Sequence, residues 1–435
     1  MKYYSTRDKE RKNAYSLKEA AFLGLAPDGG LFMPESIPQV DLDEVRRLAA
    51  LSYADLAIYL AGLFFENDIP AESLESMIRN AYDFNCPLRK LEDGKYVLEL
   101  FHGPTAAFKD FGARFMGGML GLLSEKDRKL TVLTATSGDT GSAVAAGFHK
   151  VRSINVVVLY PQGKVSPLQE AQMTTLGDNI HPVCVKGSFD DCQALVKAVF
   201  NDYSFRQNID VTSANSINVL RWIPQSFYYF YAWAQWYNET GRKRPDIVVP
   251  SGNYGNLTAG MLAEAMGLPI HRFVAGANAN SVIPDYLESG VYAPRPSIRT
   301  VANAMDVGAP SNYERMMYLY DNDFYKLNGK LSAYSYSDEW IKEAIRKIHK
   351  KYGFISDPHA AVGYLSLEVS NAEGFYLATA HCAKFSEVIK EAIGLEVELP
   401  EQLAQLTGKE KSYIIMDNDC KALEQYISKL VKKKV

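Results

Sequence analysis

Two glycine-rich turns constrain the fold of this chain more than any other feature. Thr136-Ser137-Gly138-Asp139-Thr140-Gly141 follows an apolar run, Lys129 to Ala135, and opens into small residues, Ser142 to Phe148. Ser251-Gly252-Asn253-Tyr254-Gly255-Asn256 repeats the arrangement, after Asp246 to Pro250 and before Leu257 to Met266. Each reads as strand, tight turn, helix. Similar Val/Ile-rich runs at Ile154–Tyr160, Pro182–Lys186, Asp210–Ser213, His271–Ala275 and Phe375–Thr379 lack polar alternation. Strands of that kind are covered on both faces, and their alternation with helical segments predicts an α/β fold built on parallel sheet. The intervening helices are expected over Arg114–Leu123, Phe189–Phe200, Val219–Tyr237, Ser337–Lys350, Pro358–Ser370 and Ala383–Ile393.

At 435 residues the chain exceeds one small core, so more than one domain is expected. Residues 1–80 read as a helical unit: Ser16 and Glu19 form a capping box, and Leu48–Phe65 and Pro70–Phe84 carry helical spacing. Its expected role is packing and oligomer contacts. Residues 81–400 form the α/β region, with an irregular insertion at about 277–315, and 401–435 a helical tail, basic and solvated from Ser428 onward. The net charge of −4 provides no basic field for nucleic acid and no polybasic membrane signal. No apolar run has the length of a bilayer span, and no signal peptide is recognisable. The five cysteines are scattered, which suits a reducing cytoplasm, and neither they nor the histidines have metal-ligand spacing.

Lys109 is the candidate reactive residue. It lies in Phe101-His102-Gly103-Pro104-Thr105-Ala106-Ala107-Phe108-Lys109-Asp110-Phe111-Gly112, between aromatics. An amine among apolar neighbours loses hydration, which disfavours its charged form. A lysine depressed in this way attacks carbonyls and forms Schiff bases. The plainer reading is a helix lysine with its stem laid along apolar surface. The two turns favour the first reading. Ligands of parallel sheets sit at the carboxyl ends of the strands, and helix N-termini there attract anions. Neither turn has the spacing of a dinucleotide fingerprint or a Walker loop. Together with a Schiff-base lysine they point to pyridoxal phosphate and an anionic substrate, one turn for the cofactor phosphate and the other for a substrate carboxylate. Asn215, Ser216 and Arg221, at a strand-to-helix junction, read either as a third anion site or as a cap with an ion pair.

These segments resemble the threonine synthase family, pyridoxal-phosphate enzymes of the tryptophan-synthase-β-like fold (fold type II). His102 to Gly112 resembles the family's cofactor-lysine segment, Ala135 to Gly141 its substrate loop, and Ser251 to Asn256 its cofactor-phosphate loop. Asn215-Ser216-Ile217-Asn218 with Arg221 resembles a substrate-phosphate segment. Ala302–Val307 with Pro310–Asn312, Thr379–His381 with Ala383–Phe385, and Tyr4–Arg7 with Gly24–Leu31 also match, so the likeness spans nearly the whole chain. Ala106, Tyr254 and Cys382 stand where leucine, phenylalanine and proline are usual, and Asp139 where relatives on the fold often carry asparagine.

The resemblance implies two open parallel-sheet domains beside the N-terminal unit, in a monomer or homodimer. It implies conversion of O-phosphohomoserine and water to threonine and phosphate, a carbon–oxygen lyase reaction closing threonine biosynthesis. Lys109 is then the Schiff-base lysine and base. Gly252, Asn253, Tyr254, Gly255 and Asn256 hold the cofactor phosphate, Thr379 faces the pyridine nitrogen, and Asp139 faces the cofactor hydroxyl. Thr136, Ser137, Gly138 and Thr140 take the substrate carboxylate, and Asn215, Ser216 and Arg221 its phosphate. A phospholyase or hydroxyamino-acid dehydratase of the same fold, or a silent pyridoxal-binding protein, remains the alternative.

Overall fold

The chain opens with β1 (Tyr3–Ser5) and β2 (Phe32–Pro34), paired antiparallel, and helices α1 (Leu17–Leu23), α2 (Leu42–Ala49), α3 (Tyr53–Phe65) and α4 (Ala71–Ala81). The structure, a computed structural model, describes residues 1–125 and 129–432. There follow β3 (Leu88–Glu92), β4 (Lys95–Glu99), α5 (Lys109–Leu123), β5 (Leu130–Ala135), α6 (Asp139–Phe148), β6 (Ile154–Pro161), α7 (Pro167–Thr174), β7 (Ile180–Lys186), α8 (Phe189–Asn201), α9 (Tyr203–Arg206) and β8 (Asp210–Ser213). The second half contains α10 (Val219–Trp222), α11 (Phe227–Thr240), β9 (Asp246–Pro250), α12 (Gly255–Ala265), β10 (Arg272–Ala277), α13 (Val282–Ser289), α14 (Tyr313–Leu319), α15 (Phe324–Asn328) and β11 (Leu331–Ser335). It closes with α16 (Asp338–Tyr352), α17 (Pro358–Val369), β12 (Gly374–Ala378), α18 (Ser386–Ile393), α19 (Glu401–Ala404), β13 (Ile414–Asp417) and α20 (Cys420–Lys432).

Two sheets result. One runs β11-β10-β9-β12-β4-β3, parallel except for the β3–β4 pair. The other runs β13-β7-β6-β5-β8 and is parallel throughout. Strands β5, β6 and β9 are buried at every position, as an unalternated apolar run requires of a strand covered on both faces. The two-sheet α/β expectation therefore holds, and each glycine-rich turn leaves the carboxyl end of a strand, one in each sheet.

Several boundaries differ from those expected. Leu48–Phe65 is not one helix, because Ser52 accepts a hydrogen bond from the Asp55 amide and starts α3 afresh. The expected helix Val219–Tyr237 is interrupted by a 3₁₀ turn at Ile223–Ser226, where Pro224 has no N–H to continue the α ladder. The insertion at 277–315 contains α13, whose Pro284 lies within the first turn, where a missing N–H costs nothing. Ala383–Ile393 begins as a 3₁₀ turn, Cys382–Phe385, before α18. The stretch read as a helical tail also supplies β13, an edge strand on β7. Leu430 near its end is buried rather than solvated, and 433–435 lie outside the described residues.

The N-terminal unit does more than pack against a neighbour. Its helices share one apolar core with both sheets: Leu56, Leu60 and Phe65 lie in the same cluster as Phe115, Val156 and Ile247. Tyr53 meets Phe111 edge-on at 5.3 Å, which joins α3 to the helix that begins at Lys109. The aromatic faces of Phe227, Tyr228, Tyr229, Phe230, Trp233 and Trp236 are buried in this core.

Candidate active site

Lys109 is the first residue of α5, and the segment before it is fixed by β12. The Phe108 amide donates to Thr379 O at 2.8 Å and the His381 amide to Ala106 O at 3.0 Å. Ala106 itself takes φ 56°, a left-handed backbone rare for a residue with a Cβ, which turns the chain sharply into the helix. Thr379 is thereby placed beside the lysine segment.

Lys109 lies on the wall of a cavity of ≈ 730 Å³ with both glycine-rich turns around it. Thr136, Ser137 and Thr140 come from the five-stranded unit, Ser251 to Asn256 from the six-stranded one, and Asn215, Ser216, Arg221 and Thr379 complete the group. The lysine is otherwise enclosed by protein, and burial lowers its pKa to about 8, opposed by Asp139 and reinforced by Lys384 and Arg221. A fall of that size corresponds to about 3 kcal/mol in favour of the neutral amine.

The Ser251–Asn256 turn is built for an anion. Tyr254 takes φ 59° at the N-cap of α12 and supplies no side-chain cap, so the first-turn amides keep their hydrogens for a ligand. A Cβ on Gly252 would lie 2.5 Å from Met305 Cα, so only glycine fits. Tyr228 and Tyr229 hydroxyls donate to Asn256 Oδ1 at 2.6 and 2.7 Å, which orients the amide and leaves its buried Nδ2 without a partner. Asn253 Oδ1 accepts from the Ser311 amide at 2.7 Å, while its Nδ2 donates to Ser216 Oγ at 2.9 Å.

The other turn holds itself. Thr136 Oγ1 accepts from the Gly138 and Gly141 amides at 2.9 and 2.8 Å. Gly138 takes φ 147°, in the region that favours glycine. Gly138 and Asp139 do not reach the cavity wall. The Asp139 carboxylate faces Lys384 at 2.6 Å and accepts from Gln169 Nε2 at 3.0 Å. Its carboxylate is engaged by that ion pair, because two buried charges this close satisfy each other. Burial pushes that carboxyl up, but the charges of Lys384 and Lys109 and these hydrogen bonds outweigh it and hold it well below the usual range.

Arg221 is buried, and burial draws its pKa down to about 10. One N–H donates to Lys109 O at 3.2 Å, while Nε has no partner. An unpaired guanidinium on a cavity wall is a site for an oxyanion. Among the described residues no carboxylate forms a salt bridge with it, which favours the anion-site reading over the ion pair.

Sequence reading missed several contributors. Arg315 is fully buried, stacks over Trp222 at 4.4 Å and donates to Ser216 O and Ile217 O, both at 2.7 Å. It sets the loop that carries Asn215 and Ser216. Apart from Asn312 Oδ1 at 3.0 Å, its acceptors are backbone carbonyls far away in sequence, so little in the local pattern announces it. His359 on α17 lines the cavity, with Nδ1 2.7 Å from Asp357 and Nε2 accepting from the Ala304 amide at 3.1 Å. Arg7, Leu25, Gly29 and Leu31 bring the N-terminal unit to the cavity mouth, where Arg7 pairs with Glu314 of α14. Among the described residues no helix is long and apolar enough to cross a membrane, and no His/Cys/Asp/Glu group is arranged to hold a metal ion.

A parallel-sheet pair with a lysine of lowered pKa between two glycine-rich turns fits a pyridoxal-phosphate-dependent enzyme, and residues 86–375 match the family model of that description. Residues 2–82 match "Threonine synthase N terminus" and 360–427 "Threonine synthase, C-terminal". The chain is 43% identical over 434 residues to a threonine synthase of Haemophilus influenzae, covering 99% of this chain and 100% of that one. The structure superposes on threonine synthase from Brucella melitensis, solved with pyridoxal phosphate bound, with a TM-score of 0.93 at 34% identity and full coverage of both chains. On the Escherichia coli enzyme the TM-score is 0.90 at 40% identity, covering 99% and 100%. The chain belongs to the threonine synthase family.

Proposed function

We propose that the chain converts O-phosphohomoserine and water to threonine and inorganic phosphate, with Lys109 as the residue that bonds the cofactor and moves protons. The residues fit pyridoxal phosphate: an amine of lowered pKa, a glycine cradle that no Cβ could enter, free helix-end amides and the unpartnered Asn256 Nδ2 converge on one cavity. When bound, the cofactor supplies a carbonyl for the amine and a ring that spreads negative charge from the substrate carbons.

Residues 252–256 grip the cofactor phosphate through backbone amides, with Asn256 adding its free N–H. Thr379 offers a hydroxyl to the pyridine nitrogen; being neutral, it leaves the ring a milder electron sink than a carboxylate would. The Lys109 amine takes protons from the substrate's Cα and then Cβ, the second loss allowing phosphate to leave Cγ, and delivers protons to Cγ and back to Cα. Ser137 and Thr140 bind the substrate carboxylate beside the amides of their turn. Arg221, Asn215 and Ser216 bind the phosphate at Cγ and carry its charge as it departs. Water then supplies the hydroxyl at Cβ, and Cγ becomes a methyl group. A reducing cytoplasm is the setting proposed, consistent with five free cysteines.

The observation that carries this reading is Lys109 on a cavity wall shared by both turns and Arg221. Purified holoenzyme given O-phosphohomoserine should release phosphate and threonine in equal amounts. Phosphate with 2-oxobutyrate would identify a phospholyase, and a yellow protein without turnover a silent binder. Lys109→Ala should remove the visible Schiff-base absorption and lower turnover on the order of 10³-fold or more.

A further inference from the structure

A second buried lysine stands behind the first. Lys384 lies in the 3₁₀ turn after Thr379, and its side chain is 0% exposed. Its ammonium is 2.6 Å from Asp139 Oδ1 and donates to Thr105 O at 2.9 Å. Thr105 in turn donates through its amide and hydroxyl to Asp110, at 2.9 and 2.6 Å, and Asp110 is the residue after Lys109. Lys384 therefore joins the helix behind the substrate turn to the segment that carries the reactive amine.

A buried ion pair is a poor device for stability alone, since desolvation offsets much of the attraction and an apolar pair of similar size serves a core as well. Here it has a chemical consequence. The charged groups acting on the Lys109 amine are Asp139 from α6, which favours its protonation, and Lys384 and Arg221 from the 3₁₀ turn and α10, which oppose it. His359 from α17 and Asp306 line the same cavity, and Asp110 on its own helix is engaged with Thr105. Among the described residues no carboxylate lies within ion-pairing distance of Lys109 Nζ, because Asp139 is already committed. Without Lys384, Asp139 would be a buried carboxylate with one amide donor, and Lys109 would be the cation at hand.

We propose that Lys384 is a positioning residue for the reaction: it holds and neutralises the Asp139 carboxylate at the back of the substrate turn and so weakens that carboxylate's hold on the Lys109 proton, which leaves the amine freer to shed it and bond a carbonyl. This rests on the role given to Lys109 above.

The test follows the ionisation of Lys109 in two ways. In the apoprotein, competitive acetylation of Lys109 is read by peptide mass spectrometry across a pH series from about 6 to about 10. In the holoenzyme, the acid limb of kcat is measured, since the amine is free only in the complex with substrate. Lys384→Met should raise both apparent pKa values by at least about one unit. Asp139→Asn should lower them, since Lys384 is then an unpaired positive charge beside the amine. The double variant, which removes both charges, should return to within about half a unit of the parent. A Lys384→Met value within about 0.3 units of the parent overturns the proposal. If that variant does not fold, Asp139→Asn decides alone, and an unmoved or raised pKa there overturns it. The acetylation readout needs neither cofactor nor threonine formation, so it separates failure of this inference from failure of the catalytic reading.

Discussion

The two glycine-rich turns leave equivalent places in two sheets, yet they are secured in opposite ways. Ser251–Asn256 is held by its surroundings: Met305 presses on Gly252, two tyrosines fix Asn256, and Ser311 and Ser216 hold Asn253. Thr136–Gly141 is held mainly from within, by Thr136 Oγ1 bonding two amides of its own turn, with the Asp139–Lys384 pair behind it. A turn fixed by distant elements suits a resident group that must not shift. A turn that carries its own shape keeps its amides aligned even when its unit moves against the other, which suits a ligand that comes and goes. The comparison teaches that the same local motif gains its role from what surrounds it.

The amine between the turns sets the largest expected effect. With a pKa of about 8, Lys109 loses its neutral fraction about tenfold per pH unit below that value. The rate at which colour returns when cofactor is added to the apoprotein should therefore fall roughly fiftyfold from pH 8 to pH 6, and stopped-flow absorbance checks it. Gly252→Ala drives a Cβ against the Met305 backbone at 2.5 Å. At a cost of about 1–3 kcal/mol, cofactor binding should weaken roughly tenfold to a hundredfold, measured by equilibrium titration. Thr136→Val removes the acceptor for two amides, so KM for O-phosphohomoserine should rise about tenfold while cofactor affinity stays at the parent value. Equal loss of cofactor affinity in both variants would dissolve the distinction between the turns. Arg7→Ala breaks a half-exposed pair with Glu314 at the cavity mouth, and its cost in chemical denaturation should be under about 1 kcal/mol.

Much of the site was legible because its chemistry is local. Lys109 and the residues of both turns are contiguous, and strand–turn–helix grammar marks them without knowledge of the fold. Thr379, Asn215, Ser216 and Arg221 were found through the family resemblance and the capping pattern, and all four reach the cavity. Asp139 was placed in the right turn, but its pairing with Lys384 was not foreseen, because the two lie 245 positions apart in the numbering. Arg315 was missed altogether, and Arg7 was read only within a matching segment and given no place at the site, since a side chain that bonds a distant carbonyl or carboxylate has no signature in its own neighbourhood.

By itself, the sequence determined what depends on near neighbours: unalternated strands, tight glycine turns, helix caps and a lysine set among aromatics. Tertiary structure alone decided which charges meet. Whether Asp139 faces Lys384 or a ligand, and whether Arg221 is paired or free, depends on distances between segments far apart in the chain, and electrostatic energy in a buried site changes steeply over a few ångströms.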